Sequence, residues 1–360
     1  MKSADTTPTS SGYPPAKPEV TRVALDAMGG DFAPSAPVSG ALRALRELDE
    51  SHTIQLVGRS ADLERELGDN ADTMSESLRA RIAIVEAPDV IGMTDRPTSV
   101  LRGKPNNSMS VGLRLQAEGT SDAFVSAGNT GAQMAASAML LKLHPGLTRP
   151  AIATVFPTAG KPLVFLDAGA NVDCSARELL QFAWLGAVYA EAVLARENPA
   201  VGLLSIGEEP EKGNGVVKEA HALFRAAGFN FIGNVEGRDI PRGECDRGRI
   251  DVVVCDGFVG NAILKFYEAV MPMVLSVLRR HGGLDESHIS EALAEFDKSR
   301  YGAAPLLGVR GISMICHGNS DPTAIFVAIK DAAKAAESGM NAMMGDRLST
   351  VAATVSPTAA

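Results

Sequence analysis

The sequence predicts an α/β fold, doubly wound, with a mostly parallel sheet and helices on both faces. Three observations predict it. Short runs of β-branched and apolar residues recur along the chain, most of them end at Gly or Asp, and a helical stretch follows nearly every one. Strand and helix in alternation form βαβ units, whose crossovers place helices against both sides of a parallel sheet.

The first run is VTRVALDA (20–27), which ends before Met28-Gly29-Gly30-Asp31 and leads to a helix over 34–48. TIQLVG (53–58) and RIAIVEA (81–87) follow, then a helix over 107–118, the run DAFVSAG (122–128) and a helix over 129–142. AIATVF (151–156) and PLVFLDAG (162–169) precede a helix over 175–196, and VGLLSIG (201–207) precedes one over 214–227. IDVVVCDG (250–257) leads to 258–280, and ISMICHG (312–318) to 321–338. These runs are too short for buried helices, and their Gly and Asp ends mark strands entering turns. The body therefore spans 20–347, as one large domain or two lobes. Residues 1–19 and 348–360 lack apolar periodicity and read as flexible tails.

The 360 residues carry 34 Lys and Arg against 43 Asp and Glu, a formal charge of −9. That balance argues against a nucleic-acid partner, which needs a basic face to neutralise phosphates. Cys174, Cys245, Cys255 and Cys316 lie far apart with no CxxC pair, so neither a disulfide framework nor a structural metal is expected, and the usage fits a reducing cytosol. Cys255 sits in an apolar run and reads as inert core. The N-terminus shows Ser, Thr and Pro where a secretory signal needs an apolar stretch. Leu179–Ala190 and Val270–Leu278 are apolar but short of the ~20 residues that span a bilayer. The region around Trp184 therefore belongs to the core or to a subunit interface.

In open α/β sheets ligands bind beyond the carboxyl ends of the strands. The turns there share a pattern: Asp26 to Asp31, Gly128-Asn129-Thr130-Gly131, Asp167 to Asn171, Gly207 to Asn214, and Asp256 to Asn261. Gly lets backbone N–H groups approach a ligand, and Asn, Thr or Asp cap the next helix, whose dipole attracts an anion. One such turn is ordinary α/β construction. Several converging on a common rim point to an anionic ligand. The chain has no Walker phosphate loop and no dinucleotide fingerprint after its first strand, and it lacks G-x-S-x-G and H-E-x-x-H. Of six histidines only His317 follows a strand.

Eight blocks in order, VALDAMGGD (23–31), KPNNSM (104–109), SAGNTGA (126–132), LDAGAN (166–171), IGEEPEKGN (206–214), FIGNVEGRD (231–239), DVVVCDGFVGNAILK (251–265) and HGNSD (317–321), resemble the bacterial acyl carrier protein:phosphate acyltransferase family of phospholipid synthesis. The resemblance covers about 20–340. It implies a fold related to phosphate acetyltransferases and isocitrate dehydrogenase-like proteins, and transfer of a long-chain acyl group from acyl carrier protein to inorganic phosphate. It also implies a cytoplasmic homodimer, peripheral contact with the inner face of the membrane, a product passed to a glycerol-phosphate acyltransferase, and no cofactor. Inorganic phosphate is already a nucleophile, so the missing Ser–His motifs fit.

On this resemblance Lys212 is the first catalytic candidate, holding phosphate or the thioester oxyanion, and Asn261 the second, polarising the carbonyl. Gly29, Gly30, Asn107, Ser108, Gly128, Asn129, Thr130, Gly131, Gly213, Asn214 and Gly260 are candidate phosphate or pantetheine contacts, each also explicable as capping or turn chemistry. Asp26, Asp31, Asp167 and Asp256 are candidate positioning groups. Two departures stand out. Phe32 occupies a position where the family often has His, and the segment GGLDESHISEALAEFDKSR after Arg280 is short and polar where a longer apolar hairpin is usual. The second weakens the expectation of membrane contact. An acidic carrier also requires a local basic face, for which Arg96, Arg102 and Lys104, or Arg279 and Arg280, or Arg238, Arg242, Arg247 and Arg249 are candidates. A short-chain enzyme using coenzyme A and a silent scaffold of lipid enzymes are the competing readings.

Overall fold

The computed structural model describes residues 19–71, 74–281 and 303–355. The expected N-terminal tail up to residue 18 and the polar segment after Arg280, from 282 on, lie outside the described residues. The strands are β1 (Thr21–Asp26), β2 (His52–Gly58), β3 (Ile82–Glu86), β4 (Ala123–Ser126), β5 (Ala151–Phe156), β6 (Leu163–Leu166), β7 (Val201–Leu204) and β8 (Phe231–Val235). They continue with a small hairpin, β9 (Glu244–Cys245) and β10 (Gly248–Arg249), then β11 (Val252–Val254), β12 (Ala303–Leu307) and β13 (Ser313–Cys316). The helices are α1 (Ser35–Glu47), α2 (Ser60–Asp69), α3 (Glu76–Arg79), α4 (Ser99–Arg102), α5 (Ser108–Ala117), α6 (Thr130–Leu140), α7 (Ala176–Ala192), α8 (Gly215–Ala226), α9 (Gly257–His281), α10 (Pro322–Glu337) and α11 (Met340–Val355).

Every expected strand and helix is present, with ends set by local chemistry. Asn107, Asn129 and Asn214 cap α5, α6 and α8 by accepting the N–H groups of Ser110, Ala132 and Val217. Ser175 and Glu178 form a capping box at α7, and Asp321 caps α10 ahead of Pro322. Besides the small β9–β10 hairpin, two strands of the main sheet lie outside the predicted runs. β12 reads AAPLL and contains Pro305, which lacks a ladder donor. β8 contains Gly233 at a φ of 92°, and its pairing with β7 shifts register at Val201/Gly202. The C-terminal boundary also moves: α11 runs to Val355, because Met340, Met344 and Leu348 recur four apart and are buried in the core.

An eleven-stranded sheet is ordered β3-β2-β1-β4-β13-β12-β5-β6-β11-β7-β8. It is parallel except at its centre, where β12 is antiparallel to both β13 and β5, and β5 is antiparallel to β6. Following these reversals, β3, β2, β1, β4 and β13 run one way and β6, β11, β7 and β8 the other. The strand-end turns therefore do not share one rim, as the sequence suggested, but divide between two opposite edges of the sheet. The sequence could not show this, since direction is set by pairing between distant segments.

Helix α7 explains the Trp184 stretch. It lies on β6 and β11 and beneath α8 and α11, so nearly its whole circumference is buried. Trp184 is partly buried, with Phe229 edge-on at 5.2 Å. Helix α9 is different. Among the described residues it is the one helix long and apolar enough to cross a membrane by length and composition, and Phe258, Phe266, Met273 and Val277 are exposed on it. Its start stands at the second edge, after β11. From there it climbs the sheet to the first edge, where the Tyr267 hydroxyl donates to the Pro157 carbonyl at 2.8 Å.

Candidate active site

At the first edge the turn after β1 is held from beneath by Asp26. This carboxylate is buried, accepts the Ser126 hydroxyl at 2.7 Å and the Met28 N–H at 3.1 Å, and is also bonded to Ser108 and Gly29. Burial pushes the Asp26 carboxyl above its usual range, while these donors favour the anion. Ser126 in turn accepts the Gly128 N–H at 3.0 Å. A Cβ on Gly29 would stand 2.5 Å from the Asp26 carboxylate and 2.8 Å from the Gly128 nitrogen, so the turns after β1 and β4 pack directly together. The Asp31 N–H donates to the Gly318 carbonyl at 2.7 Å, which adds the turn after β13.

Three candidates at this edge are consumed by that construction. Asn107 is fully buried, and its amide donates to Val100 and to Lys104 while its oxygen caps α5. Ser108 is buried against Asp26. The Asn129 amide donates to the carbonyls of Met93 and Asp95 at 3.0 and 3.1 Å, so it pins the 92–95 segment while capping α6. The side-chain donors of all three are engaged within the fold, which is the capping and turn chemistry the sequence offered as the alternative to substrate contact. Gly131 lies in the first turn of α6 against Pro97, and Thr130, Gly30 and Asp31 remain at the edge itself.

At the second edge Asp167 plays the part of Asp26. It accepts the backbone N–H groups of Ile152, Gly169, Ala170 and Asn171 and the Asn171 amide, and burial raises its carboxyl despite these bonds. Helix α9 starts hard against it. A Cβ on Gly260 would lie 1.8 Å from the Asp167 carbonyl oxygen, so Gly260 serves close packing rather than ligand contact. Asp256 accepts the Val259 N–H at 2.9 Å, an ordinary cap. Asn261 emerges one turn further on, exposed beside Gly169, with no hydrogen-bond partner among the described residues.

Lys212 stands in the turn after β7, exposed and without an ion-pair partner among the described residues. Of the three acids near it in sequence, Glu208, Glu209 and Glu211, Glu208 is within 3.4 Å of Arg238 and 3.2 Å of Arg247. Gly213, at a φ of 99°, turns the chain from Lys212 towards Asn214 at the cap of α8. Because β7 and β11 are parallel neighbours, with Val254 opposite Leu203, Lys212 and Asn261 leave the sheet at the same edge. An unpaired ammonium and a free amide there can hold a dianion and polarise a carbonyl.

Between the edges Asn261, Leu264, Lys265 and Glu268 share one face of α9 by helical spacing. Leu264 packs on the cluster that contains Ala168 and Ile315. Glu268 lies 2.9 Å from Lys265 and 3.4 Å from His317 Nε2. Its carboxyl is held down at about 2, first by His317. The sequence had a signal for this pair, since His317 follows a strand and Glu268 falls two turns after Asn261. Among the described residues no cluster of His, Cys, Asp and Glu is placed to hold a metal ion. Cys255 is buried and burial pushes its thiol up. Of the basic candidates, Arg238, Arg247, Arg249 and Lys104 are paired with Glu236, Glu208, Asp251 and Asp95. Arg242, Arg96 and Arg102 have no such acid partner among the described residues.

Comparison with known proteins gives the same fold. A phosphotransacetylase from Streptococcus pyogenes superimposes with a TM-score of 0.62 at 16% identity, covering 89% of this chain and 95% of that one. A 4-hydroxythreonine-4-phosphate dehydrogenase from Klebsiella pneumoniae does so with 0.51 at 16% identity, over 90% and 99%. In sequence, the phosphate acyltransferase of Desulforamulus reducens is 44% identical over 329 residues, 89% of this chain and 95% of that protein. The family model described as fatty acid synthesis protein matches residues 21–343. The chain therefore belongs to the fatty acid synthesis protein family, alongside these phosphate acyltransferases, as its eight ordered blocks imply.

Proposed function

We propose that this protein transfers a long-chain acyl group from the thioester of acyl carrier protein to inorganic phosphate, yielding acyl phosphate for glycerophospholipid synthesis. The observation that carries the reading is the pairing of an unneutralised Lys212 ammonium with an unbonded Asn261 amide at one sheet edge. Phosphate held by Lys212 attacks the thioester carbon, the Asn261 amide donates to the developing oxyanion, and the thiolate of the carrier leaves. Asp167 and Asp26 are positioning groups: each is enclosed by loop donors and holds its turn in place.

The protein works in the cytoplasm as a homodimer. A second copy covers the apolar face of α9 that Phe258, Phe266, Met273 and Val277 leave exposed, since four large apolar side chains on one helix are costly in water. Sedimentation should give a dimer, and replacing Phe266 and Met273 by Ser should give monomers. Peripheral contact with the inner face of the membrane places the product close to the glycerol-phosphate acyltransferase that consumes it.

The decisive assay offers purified protein palmitoyl-carrier thioester or acetyl-coenzyme A, each with and without phosphate, and follows thiol release. Phosphate-dependent release from the palmitoyl carrier is the expected result. Turnover of acetyl-coenzyme A alone would make this a short-chain enzyme, and no phosphate-dependent release from either donor would leave the scaffold reading.

A further inference from the structure

We propose that Val172 and Ile206 form the surface that receives the acyl chain of the donor and selects long chains over short ones. The inference rests on the phosphate acyl-transfer reading above and deepens it, since that reading assigns groups to the phosphate and the carbonyl but none to the hydrocarbon tail.

The placement follows from strand order. β6, β11 and β7 are consecutive and parallel, so the turns after them emerge side by side at the second edge. The strands themselves bury Leu166, Val254 and Leu203 completely, and the apolar groups left in water belong to the turns. Val172, after β6, is 63% exposed and Ile206, after β7, is 82% exposed, while Phe258 and Val259 are exposed after β11. Single exposed apolar side chains are normal on a soluble surface. Here they come from three adjacent turns, the same three that lead to Asn261 and Lys212.

Short contacts join these turns to the reacting groups. The Gly257 N–H donates to the Asn171 carbonyl at 2.7 Å, which ties the residue before Phe258 to the residue before Val172. A Cβ on Gly169, in the Val172 turn, would lie 3.3 Å from the Asn261 Cβ. A Cβ on Gly207 would lie 2.9 Å from Cγ of Lys212, so the lysine stem runs past the residue next to Ile206. Val172 therefore flanks the Asn261 side and Ile206 the Lys212 side.

An acyl chain is the occupant this surface fits. It carries no charge, and it is joined covalently to the carbonyl that Asn261 polarises, so it has to leave that carbonyl across the same turns. Neighbouring strands stand about 4.8 Å apart, which separates the outer two of three by about 10 Å. A butyryl group is too short to touch Val172 and Ile206 together, whereas a palmitoyl chain lies across both. Each added contact removes apolar surface from water on both partners, and this favours the longer donor. Phe258 begins the α9 face that the second copy covers, so the selectivity is assigned to the two residues that lie off that helix.

The experiment uses the full chain with inorganic phosphate and two donors, palmitoyl carrier and butyryl carrier, and reads the ratio of their kcat/KM values. Val172→Ser combined with Ile206→Ser should lower that ratio about 10-fold, and each single substitution about threefold. A purely structural disturbance of the turns would slow both donors alike and leave the ratio where it was. Phe32→Ser and Met93→Ser, which change exposed apolar residues at the first edge, should keep the wild-type ratio. A double variant whose ratio stays within twofold of wild type overturns the proposal, as does a wild-type enzyme with no preference for the longer chain. A ratio that collapses in Phe32→Ser instead would put the tail at the first edge and overturn it as well. A wild-type enzyme without phosphate-dependent release from either carrier defeats the parent reading instead.

Discussion

At the end of β1 the buried Asp26 gathers Ser126, Ser108 and two turn N–H groups, and at the end of β6 the buried Asp167 gathers four backbone N–H groups and Asn171. Each aspartate makes a rigid turn out of glycine-rich sequence. What surrounds them differs. Around Asp26 three polar side chains are spent on the fold: Ser108 is bonded to Asp26, and Asn107 and Asn129 are bonded on both sides of their amides, while Thr130 and Asp31 stay exposed. Beyond Asp167 two polar side chains, Asn261 and Lys212, are left over. A polar residue in a strand-end turn is therefore free to meet a ligand only when the turn does not already use it. Residue type and position do not separate the two cases.

The comparison breaks most sharply at Lys212. Lys212→Ala should reduce kcat/KM by about 10²–10³-fold, ~3–4 kcal/mol of transition-state stabilisation. Its melting temperature should be unchanged, since an exposed unpaired lysine holds nothing in place. Retained activity would remove the second edge from the chemistry. Gly260→Ala comes next: a methyl group 1.8 Å from the Asp167 carbonyl must push the start of α9 away. A loss of about 3 kcal/mol in urea unfolding is expected, together with misplacement of Asn261.

Asn107→Ala sharpens the other side. It removes a cap and leaves buried carbonyls without a donor, which should cost about 1–3 kcal/mol. KM for phosphate should stay constant at temperatures where the variant is folded. A selective rise in that KM would return Asn107 to the site.

The smallest effect concerns a charge away from both edges. Burial raises Asp331, on α10, to about 6. The folded state then holds its proton more tightly than the unfolded chain, so this group lowers stability as pH rises from about 4 through 6. Asp331→Asn should therefore stabilise the protein by about 1–3 kcal/mol at pH 8, with the gain vanishing near pH 4. A constant difference across that range would show that the carboxyl is not perturbed.

Much of this architecture was readable from residues close together in the chain. The strand runs were found because β-branched residues ended at Gly or Asp, and the helices because Asn107, Asn129, Asn214 and Asp321 stood at their starts. The unpredicted strands of the main sheet carry Pro305 or Gly233, which suppress the local signal, and β9 and β10 are two residues each, too short to give one. The site divided along a similar line. Lys212 and Asn261 were reached through a motif resemblance, and the structure leaves both free. The same motifs also contain Asn107, Ser108 and Asn129, which the structure uses internally. Glu268 was overlooked because its partner His317 is 49 residues away.

The sequence by itself determined the alternation of strand and helix, the caps and the tight turns, because those follow from interactions within about one helical turn or across adjacent residues. Only the tertiary structure decided strand order and direction. β12 and β13, from the last quarter of the chain, enter the middle of the sheet, and three antiparallel pairings there reverse half of it. That reversal sends the glycine-rich turns to two edges and leaves α9 to connect them. Such pairings depend on hydrogen bonds and packing between segments far apart in sequence, and no local pattern encodes which partner a strand will meet.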